Sequence, residues 1–435
     1  MPIRFRNPLL EDAFLLLGGN VINAGCQLAT TLLLASWLTA ENWGGIAVII
    51  SYVLVLETLF STKNWQLVSS HAYPYLERSH KRFSAHFGAL FATELLSNLS
   101  ATIVALSLLP IALGLMNVPN TFYVAGSIYS LSILFRFSGS AGAILRQSHR
   151  YAWQSIHAGS LGAARLVSVA VTLTKSHDPA IILTCLAMIE SIWHIGLTTA
   201  AAVTLKRKGV ILRDVTHNTF KRLRHQNWKL VLTSHCTNLL KVATRELDVL
   251  FISAFTTPEI AGVIKVYKSI LRALLILSDP LANAAFPRFI KFQKAHNPIR
   301  KTTSLLRKLI AVGTIIATLS LGILSTMIYV FWSDYTPLTS PLGSGYFLGY
   351  AIGIWVAVAC FSLPPANLSL KRYDFALKLN IFLAAMYLIG LTCLTPLFGA
   401  TGAGSTFAMT QTLGAIAYFL SFKKIARQDQ PTAKI

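Results

Sequence analysis

The chain has 435 residues, of which 54% are hydrophobic and 12% charged, and its mean hydropathy is +0.57. Soluble domains carry about 25% charged residues, so this composition excludes a soluble enzyme and describes a polytopic, all-α membrane protein. The formal net charge of +22 would suit a nucleic-acid binder, but the cations follow a membrane topology and do not form one patch or arm, which argues against nucleic acid as a partner.

At about 20 apolar residues per span, the sequence predicts twelve transmembrane helices. Their expected limits are 12–38, 43–61, 85–113, 120–144, 153–174, 179–204, 230–256, 259–286, 309–332, 346–369, 377–396 and 401–422. The first apolar run follows Arg4 and Arg6 and continues from about Ala13 to Leu38. That is too long for a secretion signal and reads as a retained span. An even number of spans puts both termini on one side. If that side is the cytoplasm, 30 of the 38 lysines and arginines fall in cytoplasmic segments and only Lys175 falls in an outer loop. So large a bias fixes the expected orientation.

Four regions follow: an N-terminal lobe (1–204), a basic cytoplasmic linker (205–229), a C-terminal lobe (230–422) and a cytoplasmic tail (423–435). Residues 62–84 space aromatic and aliphatic side chains ahead of a basic end, as expected of a helix lying at the membrane surface. The linker carries eight cations with few interleaved aromatics, which suits anionic lipid better than stacked bases. The halves also resemble each other. Glu41-x-x-Gly44-x-Ile46-x-Val48 recurs as Glu259-x-x-Gly262-x-Ile264-x-Val266, 218 residues on, and Arg150-Tyr151 recurs as Arg372-Tyr373, 222 residues on. Together these matches suggest two parallel six-helix repeats around a central cavity.

The stretch from Lys241 to Asp279 stands out. It reads as two apolar helices, yet it carries Lys241, Arg245, Glu246, Asp248, Lys265, Lys268, Arg272 and Asp279. At 3.6 residues per turn, Lys241, Arg245 and Asp248 share about 60° of arc on the first helix, and Lys265, Lys268, Arg272 and Asp279 do so on the second. Each cation facing lipid near the bilayer centre would cost roughly 2.5–3.5 kcal/mol, so five would cost on the order of 12–17 kcal/mol. They are expected to face a watery, net positive cavity suited to a phosphate-bearing substrate.

Glu57, Glu94, Arg136, Arg165 and Glu190 also fall inside predicted spans. A lone carboxylate at that depth is either protonated or paired with a neighbouring helix. Arg136 and Arg165 are expected to join the cationic substrate path. Glu57, Glu94, Glu190, Asp248 and Asp279 are the candidates for coupling to a proton or sodium gradient. Pro364-Pro365 is expected to break the tenth span, and Asp279-Pro280 to kink the eighth.

No HExxH, Walker A or GxSxG pattern is present, and the five cysteines show no paired spacing. No catalytic residue, metal site or cofactor is therefore expected, and the histidines lie mostly in or near cytoplasmic loops, including His71, His80, His149, His217, His225 and His296, and read as solvated.

The run Asp248-Val-Leu-Phe-Ile, then Pro258-Glu-Ile-Ala-Gly262-Val-Ile-Lys-Val-Tyr267, then Phe286-Pro287-Arg288 resembles the polysaccharide (O-antigen type) flippases of the multidrug/oligosaccharidyl-lipid/polysaccharide exporter superfamily. Leu33-Leu-Ala-Ser-Trp-Leu-Thr-Ala-Glu41-Asn-Trp-Gly44 is similar to the first hairpin of that family, although Ser36 stands where many members have arginine. The resemblance implies a bacterial inner-membrane protein that moves an undecaprenyl-pyrophosphate-linked oligosaccharide by alternating access and breaks no bond. It also implies membrane lipid and polysaccharide-assembly proteins as partners. The expected phosphate-neutralising residues are Arg136, Arg165, Lys241, Arg245, Lys265, Lys268 and Arg272. Two alternatives are a drug or cation antiporter of the same superfamily and a membrane glycan polymerase. The antiporter would want an acidic cavity. The polymerase would need catalytic groups in a large outer loop, and the longest one here, about 333–345, has one acidic residue and no base.

Overall fold

Apolar runs long enough to cross a bilayer have to satisfy their backbone internally, and among the described residues they do so with helices. The computed structural model describes residues 8–60, 68, 72–76, 78–137, 139–148, 150–210, 246–271, 285, 289, 292, 298–332, 341–370 and 372–428. In chain order the helices are α1 (Pro8–Trp37), α2 (Ala40–Phe60), α3 (His80–Leu115), α4 (Tyr123–Leu131), α5 (Gly139–Gln147), α6 (Tyr151–Leu173) and α7 (Pro179–Arg207). Then come α8 (246–255) and α9 (258–271), followed by α10 (Pro298–Trp332), α11 (Pro341–Ala359), α12 (Leu363–Ser369) and α13 (Tyr373–Gln428). Among the described residues there is no strand. Eight stretches of them are long and apolar enough to span a membrane. The last of these, Asp374–Ile425, covers the expected spans 377–396 and 401–422. The chain turns between them at Gly399, whose φ of 58° lies in the left-handed region where a side chain would be strained.

The chain divides into two compact units, Met1–Leu250 and Phe251–Ile435. In the first, α1 lies along α6, and α7 packs against α4, α5 and α6. In the second, α11 packs on α10 and α13. The α11–α13 seam is a backbone-to-backbone approach. A Cβ added at Gly349 would stand 2.5 Å from the carbonyl carbon of Gly404, and one added at Gly404 would stand 2.7 Å from the carbonyl oxygen of Tyr346. Small residues at such seams let helices pack closely where lipid supplies no hydrophobic drive.

The fourth span departs from the expected single helix over 120–144. After α4 the chain tightens into a 3-10 turn, Ser132–Phe135, leaves helical geometry at Arg136 (φ −81°, ψ 56°) and restarts at Gly139. Charges complement both ends of the break. The Arg136 guanidinium belongs to the C-terminal end of the first piece, where carbonyls are left over. At the first N–H groups of α5, Glu94 Oε1 accepts from Gly139 N–H at 2.8 Å and Oε2 from Ser140 N–H at 2.9 Å. Glu94→Ala strips both acceptors from a buried helix start, so a loss of about 1–3 kcal/mol is expected in thermal unfolding of the solubilised protein, with Glu94→Gln keeping part of it.

The tenth span breaks as its prolines predict. α11 ends at Ala359, and α12 begins at Leu363 with prolines in its first turn, where the missing N–H costs nothing. The repeated Arg-Tyr pair also takes the same local form twice. Arg150 N–H donates to Leu145 O at 2.8 Å just before α6, and Arg372 N–H donates to Asn367 O at 3.4 Å just before α13. Each bond closes the turn at the end of a broken fourth helix. Matching core positions surround it: Ala141 and Ile144 in the first unit, Leu363 and Ala366 in the second, each pair 222 residues apart.

The expected surface helix over 62–84 is only partly described. Its described part includes a 3-10 turn, Tyr73–Tyr75, preceded by helical positions at Val68 and Ala72, and its last residues begin α3. Val68, Ala72 and Leu76 are buried against Phe83, Phe87 and Leu145. Tyr73 Oη donates to Gln147 O at 2.6 Å, which ties the turn to the end of α5. Val68, Ala72 and Leu76 thus enter a protein core.

Candidate functional site

Five elements of the first unit meet in one buried network of charge. Glu190, on α7, accepts through Oε1 from Arg165 Nη2 on α6 at 2.8 Å and from Tyr129 Oη on α4 at 3.0 Å. Its Oε2 accepts from Arg136 Nη2, presented by the break in the fourth span. Arg136 in turn donates through Nη1 to Glu57 Oε2 on α2 at 2.5 Å and through Nη2 to Ser132 Oγ at 3.1 Å. Its guanidinium lies 5.5 Å from the centroid of the Tyr129 ring. The result is a chain of alternating charge, Glu57–Arg136–Glu190–Arg165, in which the Arg136 side chain is 4% exposed and the Arg165 side chain 19%.

This geometry carries two chemical consequences. Two guanidiniums sharing one carboxylate are held close together, which is the arrangement needed to grip a polyanion. Each also has capacity to spare: Arg136 Nε and Arg165 Nε are buried and donate to nothing among the described residues. A carboxylate accepts and cannot donate, so an unused donor beside it is a place for a further acceptor.

The other expected site residues divide as follows. Glu94 holds the backbone of α5, as described above. Asp248 is fully buried on α8 and accepts the N–H of Val249 at 2.9 Å. Its neighbour Glu246 accepts from Ser51 Oγ on α2 at 3.0 Å, within the first unit. Lys265 and Lys268 lie one turn apart on α9 in the second unit, 9% and 1% exposed. The Lys268 ammonium is 5.7 Å from the centroid of the Tyr350 ring, which packs with Tyr346 and Phe407. Lys241, Arg245, Arg272 and Asp279 lie outside the described residues.

Tyr129, His157 and His194 were not among the residues that sequence reasoning singled out, although both histidines fall inside expected spans, 153–174 and 179–204. His157 is on α6 and His194 on α7, inside spans, with ring centroids 5.9 Å apart. The signal available was spacing, because His194 follows Glu190 by four residues, which puts both on one helix face. Ser132, Gly139 and Ser140 around Arg136 were likewise a break signal inside an apolar run.

These helices and buried charges define a multi-pass, all-α membrane protein. No protein-family model matches the chain, and no curated protein matches it in sequence. Its fold is that of solved transporters. It is similar to the inward-facing conformation of a multidrug resistance MATE family transporter of the MOP superfamily (TM-score 0.70, 13% identity, covering 94% of this chain and 96% of that one). It is also similar to the MATE multidrug transporter DinF-BH in complex with R6G (TM-score 0.62, 14% identity, 97% and 96%). A third such structure is the lipid II flippase MurJ in an inward closed conformation (TM-score 0.60, 12% identity, 96% and 86%). At these identities the likeness is one of fold.

Proposed function

We propose that the chain is a flippase that carries a polyprenyl-pyrophosphate-linked oligosaccharide across the bacterial inner membrane for O-antigen or other surface-polysaccharide synthesis. The observation that carries this reading is the pair of arginines on Glu190, Arg136 buried and Arg165 partly so, each with a buried, unused Nε donor. A pyrophosphate offers several acceptor oxygens and competes with a carboxylate for such donors. Lys265 and Lys268 add buried cations in the second unit. Lys241, Arg245 and Arg272 complete the proposed path on the sequence reading. The sugar occupies the watery cavity and the prenyl tail stays in lipid. Glu57, Glu94, Glu190, Asp248 and Asp279 remain the proposed groups for coupling to a proton or sodium gradient, with both chain termini in the cytoplasm.

A multidrug or cation exporter is the second reading. It is favoured by the same network read in reverse, because Glu57 and Glu190 would hold a cation if the arginines swung away. The two readings part on the arginines. In a strain that lacks its own polysaccharide flippase, the wild-type chain is expected to restore surface glycan. Arg136→Gln and Arg165→Gln, at matched membrane expression, are expected to lose at least about tenfold, the worth of one charge-assisted hydrogen bond. Full activity in both variants would remove the arginines from the substrate path, and failure of the wild type in a host making a matching glycan would favour the cation exporter.

A further inference from the structure

The His157–His194 pair has no part in the anion grip, yet it adjoins it. On α7, His194 stands one turn beyond Glu190, and its Nδ1 is buried with no hydrogen-bond partner among the described residues. The charged and titratable groups that act on it come from its own helix (Glu190), from the break in the fourth span (Arg136) and from α6 (His157 and Arg165). Tyr129 on α4 and Glu57 on α2 reach it only through Glu190 and Arg136. His157 sits between this group and a crevice. Its Nε2 lies 3.0 Å from Trp193 O, and it lines a cavity of about 290 Å³ between α6 and α7 together with Trp153, Ile156, Ser160 and Trp193. The rim residues Trp153 and Ile156 are exposed.

Glu190 is the only carboxylate that Arg165 contacts among the described residues, and both of its oxygens are occupied. When a phosphate draws one of the guanidiniums away, a buried carboxylate is left short of a cation. The nearest replacement on the same helix face is an imidazolium. We propose that His194 is a proton-binding site linked to substrate: it takes up one proton, through His157 and the α6–α7 crevice, as an arginine leaves Glu190 for a phosphate, and gives it back when the arginine returns. No bond other than N–H is made or broken, and the charge on Glu190 stays balanced throughout. The inference rests on the anion-binding reading above and adds to it a proton stoichiometry and the residue that holds the proton.

The test is equilibrium binding of a polyprenyl-pyrophosphoryl-N-acetylglucosamine to the purified full chain in nanodiscs, as a function of pH. This probe is a pyrophosphate diester whose phosphates do not titrate near neutrality, so any pH dependence belongs to the protein. Uptake of one proton on binding makes the wild-type Kd rise about tenfold per pH unit across the range where histidine titrates. In His194→Gln the slope is expected to flatten while the lipid still binds. In His157→Gln the equilibrium slope is expected to persist and the rate of proton uptake, followed with a pH indicator, to fall. A wild-type Kd independent of pH overturns the proposal without any variant, and so does an unchanged slope in folded His194→Gln. A wild-type chain that does not bind the probe overturns the flippase reading and this inference with it. A flat slope with tight binding overturns this inference alone.

Discussion

Glu190→Ala is expected to destabilise the solubilised protein by about 3–5 kcal/mol, the largest loss from any single polar substitution in the first unit. The carboxylate is the shared partner of Arg136 and Arg165 and accepts the Tyr129 hydroxyl as well. Removing it strands the Arg165 guanidinium and leaves the almost wholly buried Arg136 with Glu57 alone, and breaking one side of a buried ion pair costs far more than the intact pair contributes. Glu190→Gln should fall between wild type and alanine, because the amide keeps an acceptor oxygen but places its NH2 against a guanidinium. The double change Glu190→Gln with Arg165→Met should recover part of the loss, since it removes the stranded charge and not merely its partner. Thermal unfolding in detergent, read by the reaction of a half-buried thiol such as Cys185 with a fluorescent maleimide, orders these variants directly. Equal melting temperatures for wild type and Glu190→Ala would mean that the network contributes nothing to the fold.

Gly349→Leu should be at least as damaging, for a reason unrelated to charge. The missing side chain is what lets α11 and α13 touch backbone to backbone: a Cβ at Gly349 would lie 2.5 Å from the Gly404 carbonyl carbon, 2.7 Å from its oxygen and 2.8 Å from Ser405 N. None of those atoms is the end of a flexible side chain, so the helices must separate. Overpacking of this kind costs about 1–3 kcal/mol for small additions and more where backbone must move. Gly349→Ala is expected to show the lower end of that range, and Gly349→Leu is expected to lower the yield of folded protein from the membrane. A control at Gly322, which has nothing within 4 Å of an added Cβ, should tolerate leucine. If Gly349→Leu and Gly322→Leu behave alike, the close seam is not what holds α11 to α13.

Much of the fold was legible because membrane helices are written locally. Apolar length gave the helical class, and Pro364-Pro365 gave the break before α12, since a proline's effect depends only on its own turn. The repeated Arg-Tyr pair was legible for the same reason and marks the same turn in both units. The break at Arg136 was misread because Phe135, Phe137 and the neighbouring aliphatic residues kept the window apolar, which hid Ser138, Gly139 and Ser140. The site was legible as residues but not as partners. Arg136, Glu57 and Glu190 were all flagged as intramembrane charges. Their pairing joins positions 79 and 54 apart in sequence, and nothing in a single sequence measures such a distance. Arg136 and Arg165 were expected to serve the cationic path; among the described residues their partners are carboxylates of their own unit. A charge at membrane depth has to find a counter-charge, and sequence gives the need without the partner.

Transport itself separates the flippase from the cation exporter. The purified chain would be reconstituted in liposomes with a fluorescent polyprenyl-pyrophosphoryl glycan, and its movement between leaflets followed by loss of protection from a membrane-impermeant quencher. The wild type is expected to move the lipid, Arg165→Gln at least about tenfold more slowly, and a cationic dye not to compete. A wild-type chain that leaves the lipid in place while driving the dye across the membrane would contradict the flippase reading and make the chain a cation exporter.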